Sequence, residues 1–259
     1  MLIVKCFLIY FCSFYLLVDP YYSFGIDPKL ILKKSYKKCQ SIQQGYFEMT
    51  KDMRLIMTYD TTTFYISGYF RKIPTDTLFS CAFHYKIFSQ GEFIREVIYT
   101  GADLLLSSIE DSTVQIIQKS KSKERIRSFY RENAFLYYPL TTKRSYPFML
   151  DNGHFDPTYD FEFICEEEIN NTQCYHIKVN LDPNSVKGTG VKVIKIEFNY
   201  WIGKIDLVPI QFTNDTYAMI NGDTTIQFEK FTLKKYEINN LINDTILTFK
   251  AIPSFYKTK

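Results

Sequence analysis

Phe161-Glu-Phe-Ile-Cys165, the turn Ile169-Asn-Asn-Thr172 and Cys174-Tyr-His-Ile-Lys-Val-Asn-Leu181 together read as one β-hairpin. Apolar and polar side chains alternate on both arms, and an Asn-Asn pair between them suits a two-residue turn. A second hairpin follows, from Val191 to Tyr200 and back through Trp201-Ile-Gly-Lys-Ile-Asp-Leu-Val-Pro-Ile210. In this register Cys165 faces His176 and Cys174 faces Glu167. The two cysteines then share a face but sit diagonally, which is poor geometry for a disulfide. Consecutive hairpins define an antiparallel β chain, with no βαβ crossover in this stretch.

Working outward, the same period of two recurs upstream. Phe47, Met49, Met53, Leu55 and Met57 alternate with Glu48, Thr50, Asp52, Arg54 and Thr58, and only Lys51 and Ile56 break the pattern. Asp60-Thr-Thr leads into a strand from Phe64 to Arg71 that carries Ile66. After Pro74-Thr-Asp76 the alternation resumes as Phe79, Cys81, Phe83, Tyr85 and Ile87. Strands over Glu92–Tyr99, Asp103–Ile109 and Thr113–Gln118 complete a meander, and a last strand or pair spans Thr224 to Tyr236 after Asn221-Gly222. Lys119 to Arg131 suits a short helix. Tyr137 to Asp156, with Pro139, Pro147 and Gly153 among aromatics, suits a packed irregular excursion.

One helix is well signalled before the first strand. Asp27 caps it and Pro28 takes its first position. Leu32, Tyr36, Cys39 and Ile42 form one apolar stripe, with the lysines largely off it, so one face packs onto a sheet.

The N-terminus reads as a secretory signal over residues 1–25: Lys5, then an apolar run from Cys6 to Val18, then Ser23-Phe-Gly25. The run is short for a bilayer span, so cleavage is preferred over an uncleaved inner-membrane anchor. Lys5 and Asp19 leave together, and the net charge stays at +3. The expected organisation is a single domain over residues 26–250 and a frayed tail over residues 251–259, within the ~250 residues a β barrel or sandwich commonly fills. With 23 Phe and 21 Tyr against one Trp, the composition is that of a strand former. Scattered lysines and a charge of +3 give no reason to expect a nucleic-acid partner.

Chemistry-bearing motifs are few. Four cysteines follow the signal, Cys39, Cys81, Cys165 and Cys174, and the preferred reading is free, half-buried thiols. Cys174-x-His176 with Cys165 opposite is a weak zinc signal, because structural zinc sites normally need four ligands. Gly188-Thr-Gly190 lacks the Lys and helix of a phosphate loop. No nucleophile elbow is present, so catalytic residues, metal and cofactors are expected to be absent.

The ordered segments resemble the outer-membrane lipoprotein carrier (LolA-like) family, in its Bacteroidetes-type periplasmic form, over roughly residues 27 to 235. The residues carrying the resemblance are Ser41-Ile-Gln-Gln-Gly-Tyr-Phe47, Tyr69-Phe-Arg-Lys-Ile-Pro74, Tyr99-Thr-Gly-Ala-Asp-Leu-Leu105, Pro147-Phe-Met-Leu150, Ile169-Asn-Asn-Thr-Gln-Cys-Tyr175 and Trp201-Ile-Gly-Lys-Ile-Asp-Leu-Val-Pro209. The resemblance implies a mainly β fold: an incomplete, strongly curved antiparallel half-barrel covered by the N-terminal helix and a middle helical or irregular lid. It implies a monomeric, periplasmic protein that shields acyl chains of lipoproteins, or another apolar ligand, in transport. Where the family latches its lid with the arginine of Lys-Arg-Pro, this chain has Ile73, with Arg71 two residues earlier, so that role is not transferred.

The residues that would line such a hydrophobic cavity are Leu32 and Tyr36 from the helix, with Phe47, Met49, Met53, Leu55, Met57, Phe64, Ile66, Phe79, Phe83 and Tyr85 from the strands. The stripe fits either a filled core or a cavity wall, and methionines suit a wall that adapts to its ligand. A second reading uses the same fold as an envelope sensor or interaction module docking an inner- or outer-membrane partner.

Overall fold

The computed structural model describes residues 25–55, 60–108, 113–132, 146–150, 152–186, 192–249 and 257–258. Residues 1–24 of the expected signal, Met57, Gly188-Thr-Gly190 and most of the tail lie outside the described residues.

Helix α1 (Pro28–Ser41) starts where the sequence places it, with the Asp27 carboxylate accepting from the Lys29 amide at 2.9 Å. This satisfies one of the amide donors that a helix N-terminus leaves unpaired. Twelve strands follow: β1 (Gln44–Arg54), β2 (Thr62–Lys72), β3 (Cys81–Ser89), β4 (Glu92–Tyr99), β5 (Asp103–Ser108), β6 (Thr113–Gln118), β7 (Tyr159–Ile169), β8 (Thr172–Leu181), β9 (Lys192–Gly203), β10 (Pro209–Ile220), β11 (Asp223–Ile238) and the two-residue β12 (Lys257–Thr258). Helix α2 (Lys119–Glu132) lies between β6 and β7 and breaks helical geometry at Ser122.

All strands join one sheet in the order β12-β6-β5-β4-β3-β2-β1-β11-β10-β9-β8-β7. Pairing is antiparallel except for β12 on β6, and the sheet is not closed into a barrel. The one non-sequential antiparallel junction is β1 with β11, which brings Met49 opposite Leu233 and Lys51 opposite Phe231.

Sheet curvature follows from how far α1 reaches. Lys29 sits over the Phe161 ring of β7, 5.1 Å from its centroid, and Lys72 of β2 donates to the Cys39 carbonyl at the other end. Strands β7 and β2 are six neighbours apart, about 29 Å in a flat sheet. Ten helical residues cover only about 15 Å. Side chains span part of the difference, and curling of the sheet around the helix supplies the rest.

Two element boundaries differ from the sequence reading. Trp201 does not begin a return arm: β9 continues to Gly203, residues 204–208 turn, and Pro209–Ile220 is the arm. The turn is tight, with Leu207 donating to the Gly203 carbonyl at 3.0 Å and Asp206 accepting from the Val208 amide at 3.0 Å. Phe79 likewise precedes its strand. The buried Asp76 carboxylate gathers the amides of Phe79 at 2.8 Å and Ser80 at 2.9 Å, and this loop delays β3 to Cys81. Tyr99 and Lys119 also donate to Asp76, which ties the loop to the ends of β4 and β6.

The first hairpin matches its reading. Asn170 and Asn171 both take positive φ, 49° and 61°, as a two-residue turn requires, and Cys165 pairs with His176 while Glu167 pairs with Cys174.

Candidate functional site

One face of the sheet carries the predicted stripe. In β1, Gly45, Phe47, Met49 and Lys51 are buried in alternation, and in β2 the buried positions are Ile66, Gly68 and Phe70. Directly paired residues share a face, so Met49, Ile66 and Ile87 form one row, and Phe47, Gly68, Tyr85 and Val97 the next. Helix α1 lays Ile31, Leu32, Ser35 and Cys39 on this face. Residues 146–149 of the irregular excursion cover it from the other side. Tyr146 meets Ser35 through a 2.6 Å hydroxyl hydrogen bond, and Phe148 packs edge-on to Phe161 and Tyr200 at 5.3 and 5.5 Å.

The structure brings most of the expected wall residues together, but in two environments. Leu32, Phe47, Met49, Ile66, Phe79, Phe83 and Tyr85 are sealed from solvent. They pack into one aromatic layer: Phe83 stacks on Tyr85 at 4.6 Å, Phe47 meets Tyr85 edge-on at 5.4 Å, and Phe79 meets Tyr99 at 4.7 Å. Tyr36 is half-buried at the rim against Tyr146. Further along the same face, Met53 and Phe64 are half-buried and Leu55 is 50% exposed. The face therefore passes from a packed aromatic core to an apolar rim.

Lys51, which breaks the alternation in sequence, lies between these two zones. Its ammonium is buried, 2.9 Å from the Glu229 carboxylate of β11, and stands 5.1 Å from the centre of the Phe231 ring. A buried cation needs such a partner, because desolvation without one costs several kcal/mol. No sequence signal near Lys51 identifies Glu229.

A separate open groove of about 860 Å³ lies at the start of β2 and the β3–β4 turn, lined by Asp60, Thr61, Thr62, Thr63, Tyr65, Phe88 and neighbouring turn residues. None of the expected wall residues lines it, and its rim is mainly hydroxyl-bearing.

At the latch position, Ile73 lies against Gly101. Arg71 points to the C-terminal segment instead, donating to Gln44 at 3.1 Å, the Ile242 carbonyl at 2.8 Å and Asp244 at 2.5 Å. The neighbouring Lys72 reaches the helix, donating to the Cys39 carbonyl. The C-terminal segment also covers the outer face of β3, where His84 bonds the Ile246 carbonyl at 2.8 Å and Glu96 at 2.5 Å.

All four described cysteines are free. Cys39, Cys81 and Cys174 are fully buried, deeper than the half-buried expectation, and only Cys165 is partly exposed. Burial pushes the Cys39 thiol up to about 12 and the Cys174 thiol to about 11. Cys174 turns its Sγ to the Thr172 carbonyl at 3.3 Å.

Among the described residues no helix is long and apolar enough to cross a membrane. No family model and no curated protein matches the chain. Among solved structures, it is similar to the lipoprotein LppX of Mycobacterium tuberculosis, with 12% identity, 84% of this chain and 99% of that one covered, and a TM-score of 0.46. It is similar to LprF from Mycobacterium bovis at 7% identity, with 85% and 97% covered and a TM-score of 0.43. A DUF1329 family protein from Desulfovibrio piger shares 15% identity, with 88% and 100% covered and a TM-score of 0.35. At such identities and TM-scores the functional reading has to rest on this chain's own residues.

Proposed function

We propose that the protein binds an apolar chain, such as the acyl chain of a lipoprotein, on the α1-covered face of its sheet, as a periplasmic carrier. The observation that carries this reading is the change in burial along one face of β1 and β2. Phe47, Met49 and Ile66 are sealed, Met53 and Phe64 are half-buried, and Leu55 is half-exposed. An alkyl chain laid on this rim gains about 0.8 kcal/mol for each CH₂ it buries. The periplasmic assignment rests on Lys5 and the apolar run from Cys6 to Val18, and N-terminal sequencing of the exported protein tests it.

The test is native mass spectrometry of gently purified protein, with displacement of a fluorescent acyl probe. Retained lipid, or probe binding that Leu55→Asp and Phe64→Asp weaken, is the expected result. Absence of both retained lipid and probe binding overturns the reading.

The filled aromatic layer favours a second reading, an envelope sensor or docking module that uses the same face as a core. Phe83 on Tyr85 and Phe79 on Tyr99 leave that zone tightly packed. Failure of acyl binding together with a specific membrane-protein cross-link selects it.

A further inference from the structure

The face opposite α1 carries a cluster unrelated to the apolar rim. The two-residue Asn170-Asn171 turn sets Cys165 of β7 directly opposite His176 of β8. Glu167, two residues on, points the same way. One ligand atom from each of Cys165, Glu167 and His176 lies within 4.8 Å of the others. His176 Nδ1 is 2.9 Å from Glu167 Oε1, and Cys165 Sγ is 3.7 Å from that same oxygen.

The surroundings decide which ring nitrogen of His176 carries hydrogen. Asn199 donates through Nδ2 to Glu197 at 3.2 Å and to Thr213 at 3.2 Å, which turns its Oδ1 towards His176 Nε2 at 3.1 Å. Nε2 therefore donates, and the Nδ1 lone pair of the neutral ring is aimed at the Glu167 carboxylate. His176 Nδ1 and Glu167 Oε1, 2.9 Å apart, thus converge on one point. Trp201 holds both groups in place: its indole stacks on the imidazole at 4.3 Å, and its Nε1–H donates to Glu167 Oε1 at 2.7 Å. An amide oxygen that orients the far nitrogen of a histidine is the outer-shell device seen at metal sites.

We propose that Cys165, Glu167 and His176 bind one divalent transition-metal ion, with Zn²⁺ the ion best matched, and leave a fourth position open to solvent. Thiolate, imidazole and carboxylate together suit a borderline-soft ion, and exclude Ca²⁺ and Mg²⁺, which take oxygen ligands. Bond lengths of about 2.0–2.3 Å at tetrahedral angles put ligand atoms roughly 3.3–3.7 Å apart. The 2.9 Å from His176 Nδ1 and the 3.7 Å from Cys165 Sγ to Glu167 Oε1 lie within a few tenths of an ångström of that range. Glu167 is 42% exposed and His176 16%, which gives the ion a path from solvent. Binding releases the Cys165 thiol proton to solvent. The site differs from the Cys165, Cys174 and His176 combination legible in sequence, because Cys174 is buried on the Thr172 carbonyl and Glu167 takes its place.

The test uses purified, chelator-stripped protein titrated with Co²⁺ and Zn²⁺. One equivalent of Co²⁺ should give a thiolate-to-cobalt charge-transfer band that Zn²⁺ abolishes. The fluorescence of Trp201, the single tryptophan of the chain, should change with the same stoichiometry. Cys165→Ser should remove the band, and His176→Gln should weaken binding at least tenfold. Asn199→Leu, which touches no ion, should weaken it roughly ten- to a hundredfold. Circular dichroism and thermal melts of each variant separate loss of the site from loss of the fold, and Cys174→Ser should keep the band. Absence of the band at excess Co²⁺, or an unchanged band in Cys165→Ser and His176→Gln, overturns the assignment.

Discussion

The Lys51 ammonium lies 2.9 Å from the Glu229 carboxylate, on the same sheet face as Phe47 and Met49, with both side chains almost closed to solvent. Removing one charge strands the other, so Lys51→Met alone, or Glu229→Leu alone, should destabilise by about 3–5 kcal/mol. The double variant should recover most of that loss, because an apolar pair of similar volume needs no desolvation. Urea unfolding of all four proteins closes the cycle, and additive losses would rule out a coupled pair.

Gly68 supports the aromatic layer of Phe47, Phe83 and Tyr85. A Cβ placed there would stand 2.4 Å from Tyr85 Cδ1 and 2.5 Å from the His84 carbonyl. Neither the backbone nor the buried ring can withdraw freely, so Gly68→Ala should cost about 1–3 kcal/mol by overpacking. Chemical denaturation with far-UV circular dichroism measures it, and a neutral result would show that the layer is loose.

Two carboxylates paired across β9 and β10, Glu197 and Asp215, should give opposite acid responses. Burial raises Glu197, but Lys195, Lys178 and Asn199 outweigh it and hold the carboxyl at about 2 against an ordinary 4.5. Its contribution to stability is complete above pH 4.5 and is lost as pH falls towards 2. Glu197→Gln should flatten the acid limb of a stability–pH curve in that window.

Asp215 is pushed upward, first by burial and then by Glu197, and its Oδ1 is buried without a hydrogen-bond partner among the described residues. The raised carboxyl carries a cost that is complete above its folded pKa and disappears below its ordinary 3.8. Asp215→Asn should stabilise by about 0.5–2 kcal/mol at neutral pH. That gain should vanish below pH 3.8, and thermal melts across pH would expose a gain that persists.

Thiol labelling should follow burial. Cys165 is the partly exposed member of the four described cysteines, while Cys39, Cys81 and Cys174 are sealed. Iodoacetamide on native protein, followed by peptide mass spectrometry, should modify Cys165 first and the other three only on unfolding. Early labelling of Cys39 would indicate that α1 lifts from the sheet.

What the sequence determined by itself was local. The Asp27 cap with Pro28, the Asn170-Asn171 turn and the Cys165–His176 register follow from short-range rules of backbone geometry, which a few adjacent residues satisfy or violate. The apolar stripe from Phe47 to Tyr85 was legible for the same reason, since alternation fixes a face wherever the chain is extended. Tertiary structure alone decided what each face meets. Lys51 reads as a defect until β11 pairs with β1 and delivers Glu229. Glu167 reads as part of an acidic run until Trp201 and His176 converge on it and Asn199 sets the imidazole tautomer. Glu229 arrives through the non-consecutive pairing of β1 with β11, and Trp201 and Asn199 through the register of β9 on β8, both of which depend on the free energy of the whole sheet. Periodicity therefore gave Phe47 and Phe64 the same face, and only the assembled sheet sealed one and left the other at the rim.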